Sequence, residues 1–174
     1  MVRSLIAVAL AIVGAATMGA ETAQILRWDD VSKAAVRIEQ VTPTIAAGGA
    51  PVEGGYRILA DAGIRSVIDL RTAAEGTEAA RERAQAAGLR YFNLPMNGDP
   101  PSQPMVTRFA QLLADPDVQP LYFHCRSGNR AGTLWAIYRR IGGVNLDQAI
   151  AEGRAIGMHD ERVAQVRNYP IETH

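Results

Sequence analysis

The chain has 174 residues, 18 basic and 18 acidic side chains for a formal net charge of +0, and 48% hydrophobic against 21% charged residues. That length suits one domain and that balance suits a packed core, which excludes an intrinsically unfolded chain. No basic stripe stands out, so nucleic acid is not an expected partner, and a single cysteine, Cys125, rules out a disulfide within the chain.

Arg3 is the only charge before Glu21, and between them runs Leu5-Ile6-Ala7-Val8-Ala9-Leu10-Ala11-Ile12-Val13, then small residues through Ala20. A basic start, an apolar stretch and a small-residue end make the layout of a secretory signal peptide. The run is short for a spanning helix, which needs roughly 20 apolar residues. Residues 1–20 are therefore expected to direct export to the periplasm or beyond and to be cleaved after Ala20 or Ala16. An uncleaved membrane anchor is the alternative; after cleavage no membrane span remains.

Residues 21–35 are polar and expected to be irregular, and residues 36–170 to form the domain. Val36–Val41 alternates and reads as a strand, with Thr44–Ala47 as a short partner. Gly48-Gly49-Ala50-Pro51 is a turn that places Pro51 in the first turn of a helix, one face of which carries Tyr56, Leu59 and Ala60 before Gly63 stops it. Ser66–Leu70 is a buried strand, Thr72–Ala87 a surface helix ended by Gly88, and Arg90–Leu94 the next strand. A turn-rich loop from Met96 to Gln103 leads to a helix over Pro104–Ala114, and Pro120–Phe123 is a strand that runs into the cysteine. Helices follow over Thr133–Ile141 and Leu146–Ile156, and a last one through Val163 and Val166. Strands that alternate with helices of about 10–15 residues predict an α/β fold, a three-layer α/β/α domain with a mainly parallel central sheet.

In open α/β sheets, ligands bind outside the carboxyl ends of the strands. Cys125 lies at such an end, within Tyr122-Phe123-His124-Cys125-Arg126-Ser127-Gly128-Asn129-Arg130-Ala131-Gly132-Thr133, with a helix expected just beyond Arg130. Backbone N–H groups between strand and helix can curl into a cradle for an oxyanion. Gly128 lets that backbone turn, and Arg130 offers a planar fork that matches two oxygens of a phosphate-like group. The helix N-terminus and Arg130 together favour a thiolate on Cys125. A lone cysteine after an apolar strand is otherwise a small core residue; the glycine and arginine argue against that here.

The run His124–Arg130 resembles the phosphate-binding loop of the dual-specificity protein tyrosine phosphatase superfamily, and more closely its bacterial branch, the beta-lactamase-hydrolase-like phosphatase family. The resemblance continues through Ala50-Pro51, Ala62–Arg71, Gly88–Tyr91 and Leu134–Ala136, over roughly residues 36–157. It implies a protein-tyrosine-phosphatase-like fold and a cofactor-free hydrolase of phosphate monoesters, a phosphoprotein among the candidate substrates. By it, Cys125 attacks phosphorus, Arg130 holds the phosphoryl oxygens, and a thiophosphoryl-enzyme is hydrolysed. Asp99, on the loop after the Leu94 strand, corresponds to the family's general acid, although Asn97-Gly98-Asp99-Pro100-Pro101 also reads as a plain turn. His124 is expected to hold the loop by hydrogen bonds, and Arg126, Ser127, Gly128 and Asn129 to meet the substrate. Thr133 either bonds the cysteine sulfur or only caps its helix.

One feature departs from the common pattern of that superfamily, which has five residues between Cys and Arg; here Arg126, Ser127, Gly128 and Asn129 make four. The bacterial branch also uses four, and so do rhodanese-type sulfurtransferases. The open alternatives are thus a sulfurtransferase that works through a Cys125 persulfide and a catalytically silent anion-binding module. Arg71 and Glu75 either ring the site or form a solvated pair at helical spacing. Trp135 and Tyr138 are expected in the core. No zinc-ligand spacing and no dinucleotide or nucleoside triphosphate glycine pattern is present, so neither a metal nor a cofactor is expected.

Overall fold

The computed structural model describes residues 27–171, so the expected signal peptide lies outside the described residues. The chain runs α1 (Trp28–Val31), β1 (Ile38–Thr42), β2 (Ile45–Gly48), α2 (Gly55–Asp61), β3 (Ser66–Asp69), a 3-10 turn (Ala73–Glu75), α3 (Thr77–Ala86), β4 (Arg90–Asn93), α4 (Gln103–Ala114), β5 (Leu121–His124), α5 (Asn129–Ile141), α6 (Leu146–Ile156), a second 3-10 turn (Asp160–Arg162) and α7 (Val163–Asn168). The strands form one sheet in the order β1-β2-β5-β3-β4. β1 pairs antiparallel with β2, and every other pairing is parallel.

Alternation along the strands builds the three layers, because successive side chains point to opposite faces. Ala46, Val67 and Tyr122 join Tyr56, Leu59, Ala80 and Ala84 in a core under α1, α2 and α3. Ala47, Ile68 and Phe123 join Phe109, Leu134, Trp135, Ile150 and Val166 in a larger core under α4 to α7. Burying a side chain such as Phe109 or Leu134 contributes roughly 1.5–3 kcal/mol each. On that second side α5 and α6 approach closely: a Cβ on Gly132 would lie 2.2 Å from the Gly153 carbonyl oxygen. Among the described residues, no helix is long and apolar enough to cross a membrane.

Four local expectations need correction. The segment taken as irregular contains the helical turn α1, where Val31 is fully buried against the first core. Pro51 lies in an isolated bridge with Ala35 instead of a helical turn, and α2 starts at Gly55. The surface helix after β3 is two pieces: Gly76, at φ +82°, ends the 3-10 turn and restarts the chain as α3. The helix after the cysteine loop starts at Asn129, before Arg130 and four residues earlier than Thr133. The apolar periodicity that sets the later start reports the large buried side chains, and the first turn buries only the small Ala131 and Gly132.

Candidate active site

β5 is the central strand, with β2 and β3 parallel on either side, so its carboxyl end opens between two neighbours. Cys125 follows directly. The loop is pinned at its base: the Cys125 N–H donates to the Gly48 carbonyl (3.3 Å), the Ala50 N–H to the Arg126 carbonyl (3.1 Å), and the Leu70 N–H to the His124 carbonyl (2.8 Å). Gly128 then turns the chain at φ +93°, and a Cβ there would lie 2.3 Å from the Ile156 carbonyl oxygen at the end of α6. Both facts require glycine. The first bond closing α5 runs from the Gly132 N–H to the Gly128 carbonyl (2.8 Å). The N–H groups of Asn129, Arg130 and Ala131 therefore have no acceptor within the helix, at its positive end. The Gly128 N–H points at the cysteine sulfur, 3.2 Å from Sγ. Cys125 is buried, with 1% exposure, yet it lines an open cavity of about 470 Å³ with Thr72, Glu75, Asn97, Arg126, Arg130 and Arg162 among its walls.

Arg130 projects from the first turn of α5, and its guanidinium is fixed from outside the loop. Nη1 and Nη2 donate to the two carboxylate oxygens of Glu75 (2.8 and 2.6 Å), and Nη1 also donates to the Met96 carbonyl (2.8 Å). Glu75 is itself oriented by the Thr72 N–H (2.9 Å) and hydroxyl (3.2 Å). The Arg130 hydrogen bonds push the Glu75 carboxyl down to about 2 and raise the arginine in turn. Of the five guanidinium N–H groups, this leaves Nε–H and one on Nη2, the edge that matches two oxygens of a phosphoryl group. Glu75 thus joins the site, while Arg71 turns inward onto Asp69 (2.7 Å). They are not a solvated pair, because Arg71 precedes the 3-10 turn that starts at Ala73 and so does not share a helix with Glu75.

The parallel register places Asp69 directly beside His124. His124 is fully buried, stacked on Tyr122, with Nδ1 3.0 Å from the Cys125 carbonyl oxygen. Burial lowers its pKa against the opposing pull of Asp69, 3.9 Å away, so it is a neutral imidazole. The contact assigns the proton to Nδ1, which donates to that carbonyl. Burial alone would raise the Asp69 carboxyl, but the Arg71 fork and the Tyr91 hydroxyl (2.7 Å) hold it below its ordinary value. A charged, fully bonded carboxylate thus sits under the loop.

The remaining expected residues fall in different places. Arg126 and Ser127 are exposed on the cavity wall. Asn129 also lines that cavity, and its side chain is held there by accepting from the His159 N–H (2.9 Å) and donating to Glu161 (3.1 Å). Thr133 is buried and donates to the Asn129 carbonyl (2.8 Å), not to sulfur. Asp99 is exposed on the rim, in an adjoining cavity that shares Thr72 and Asn97 with that of Cys125. Its loop is tied to α7, where the Gln165 amide donates to the Gly98 carbonyl (2.9 Å). Arg162 also lines the cysteine cavity. Nothing in the sequence marked it, since it is brought there by a turn remote from the loop in the chain.

Comparison with known proteins agrees with this fold. A family described as DSP-PTPase phosphatase fused to NAD+ kinase matches residues 20–169. The beta-lactamase hydrolase-like protein of Xylella fastidiosa strain Temecula1 is 30% identical over 145 residues, which are 79% of this chain and 33% of that protein. Its counterpart in strain 9a5c is 31% identical over 128 residues, 70% of this chain and 30% of that protein. The chain thus spans about a third of the length of these curated relatives. The fold matches the core catalytic domain of the PP-IP phosphatase SIW14 from S. cerevisiae with TM-score 0.65 at 18% identity, over 76% of this chain and 85% of that one. It matches P. aeruginosa TpbA, solved in complex with pTyr, with TM-score 0.63 at 21% identity, over 76% and 84%. On the match across residues 20–169, the chain belongs to the DSP-PTPase phosphatase family.

Proposed function

We propose that this protein hydrolyses phosphate monoesters, with Cys125 as nucleophile and a thiophosphoryl-enzyme as intermediate. The observation that carries the reading is the convergence on one sulfur. The Gly128 N–H lies 3.2 Å from Sγ, the open end of α5 sits above it, and Arg130 is clamped by Glu75 with its phosphate-matching edge left over. In the first step the thiolate attacks phosphorus, the phosphorus–oxygen bond to the leaving group breaks, and Asp99 supplies the proton that leaving oxygen needs. In the second, water attacks the thiophosphoryl group, its proton returns to Asp99, and phosphate departs with the thiolate restored. Arg130 and the loop N–H groups hold the three equatorial oxygens through both steps. His124, neutral and bonded to the Cys125 carbonyl, keeps the loop in place and transfers no proton. We place this activity outside the cytoplasm, on the signal-like layout of residues 1–20.

The test is to incubate the protein with 4-nitrophenyl phosphate or with thiosulfate, quench, and weigh the intact chain. A phosphate-sized adduct that maps to Cys125 and is absent from Cys125→Ser is the expected result. A single added sulfur from thiosulfate, with no hydrolysis of any phosphate ester, would overturn the reading in favour of sulfur transfer.

A further inference from the structure

Three of the half-buried arginines among the described residues meet a carboxylate, whereas Arg140 and Arg162 meet only neutral carbonyl oxygens, and of these two Arg162 lines the Cys125 cavity. Arg71 meets Asp69 at 2.7 Å, Arg130 meets Glu75 at 2.6 Å and Arg139 meets Glu152 at 2.9 Å, while Arg140 donates to the Val166 and Arg167 carbonyls. Arg162 donates only to the neutral Gln165 amide oxygen, at 3.0 Å. Its nearest carboxylates do not serve it. Glu161 is held by Asn129 (3.1 Å) and His159 (3.3 Å), and Asp99, though within electrostatic reach, forms no ion pair with it. A cation drawn part-way out of water without an anion is unfavourable. Arg162 is nevertheless held on the wall of the Cys125 cavity, where the charge of Arg130 opposes it and that of Cys125 favours it without a hydrogen bond. The arrangement is relieved when the cavity holds an anion larger than one phosphoryl group.

We propose that Arg162 forms a second anion subsite, which takes a further phosphate or carboxylate carried by the substrate beside the phosphoryl group that is transferred. This rests on reading the cysteine cradle as the phosphoryl site. Arg130 has one free edge, and the transferred group uses it; the N–H groups of Arg162 that Gln165 leaves over serve another pair of oxygens in the same cavity. The substrates that fit best are therefore polyanionic esters, and discrimination against a plain monoester arises at Arg162.

Three ligands that cannot be hydrolysed test this by titration calorimetry at physiological ionic strength: methylphosphonate with one anionic head, methylenediphosphonate with a second phosphonate, and 3-phosphonopropionate with a more distant carboxylate. At least one two-headed ligand is expected to bind roughly tenfold or more tightly than methylphosphonate, the worth of a charge-assisted hydrogen bond. Which one gains more identifies the second group as phosphate or carboxylate. That ratio is expected to collapse to about twofold in Arg162→Gln and to persist in Arg162→Lys, which keeps the charge. Arg167→Gln removes an equal charge from exposed α7 outside the cavity, and the ratio is expected to survive it. No gain for either two-headed ligand, a gain that survives Arg162→Gln, or equal loss in Arg167→Gln refutes the subsite. Methylphosphonate that neither binds nor protects Cys125 from iodoacetamide would instead refute the cradle itself.

Discussion

Gly128→Ala separates what the cysteine loop demands of its backbone from what glycine costs anywhere. Gly128 has φ +93°, and an added Cβ would lie 2.3 Å from the Ile156 carbonyl oxygen. Real Cβ contacts do not fall under 3.0 Å, so loop and α6 must part by at least 0.7 Å (3.0 − 2.3). Neither side yields freely: the loop is bonded to Gly48 and Leu70, and α6 is packed against α5 through Gly132 and Gly153. The positive φ costs an alanine about 1–2 kcal/mol, and the overpacking roughly 1–3 kcal/mol more. Gly143 is the control, with φ +87° and open space around the added carbon. Gly143→Ala bears the first cost alone, and the loss of unfolded-state freedom cancels between the two variants. Urea titrations are thus expected to show Gly128→Ala less stable than Gly143→Ala by about 1–3 kcal/mol. Turnover of 4-nitrophenyl phosphate should fall by roughly 10²-fold or more in Gly128→Ala alone, because the N–H aimed at sulfur moves with the loop. Stabilities that agree within about 0.5 kcal/mol would show that the α6 carbonyl does not brace this loop.

Glu75→Gln removes a carboxyl that Arg130 holds at about 2, below its ordinary 4.5. A depressed carboxyl stabilises the fold above its unfolded value, and that contribution fades as pH falls from about 4.5 toward 2. Glu75 is 27% exposed, so solvent screening leaves roughly 1–2 kcal/mol at neutral pH. Urea stability of the two proteins should therefore differ at pH 7 and converge toward pH 3; a constant gap would dismiss the ion pair. Asp99→Asn should slow hydrolysis of an alkyl phosphate by roughly 10²–10⁴-fold and spare 4-nitrophenyl phosphate, whose leaving group needs no proton. Equal losses on both would remove Asp99 from the role of acid. Export predicts that the mature chain, collected outside the cytoplasm and sequenced from its N-terminus, begins between residues 17 and 24; Met1 on a cytosolic protein would refute it.

Local pattern carried the architecture a long way. Short continuous apolar runs in Ser66–Leu70 and Pro120–Phe123 mark strands buried on both faces, and the limits of α6 agree with its periodicity. Cys125 and Arg130 were legible together because one strand–loop–helix unit carries both. What pattern alone did not show depends on register and on remote segments. Asp69 meets His124 only because β3 and β5 pair in one register. Glu75 reaches Arg130 only because Gly76 breaks what reads as one continuous helix. Arg162 has no motif around it, and only the turn after α6 brings it to the cavity. Asn129 lines the Cys125 cavity as expected, but the partners that hold its amide, His159 and Glu161, come from a distant turn.

A loop with four residues between cysteine and arginine is shorter than the common phosphatase loop, and its shape is set by where the next helix starts. With α5 beginning at Asn129, Arg130 already belongs to its first turn, and the loop proper is only Arg126 to Gly128. The cradle is therefore made partly of helix: the free N–H groups of that first turn supply donors that a longer loop would supply from irregular backbone. This places a strict demand on Arg130, whose backbone can no longer swing to find the substrate. Glu75 and the Met96 carbonyl meet that demand by holding the guanidinium on the edge the substrate does not need. Were Glu75 bonded instead to Nε and Nη2, it would occupy the phosphate's place and inhibit. Bonded to Nη1 and Nη2, it leaves the phosphate edge free, and the short loop gains from outside the orientation that it cannot supply from within.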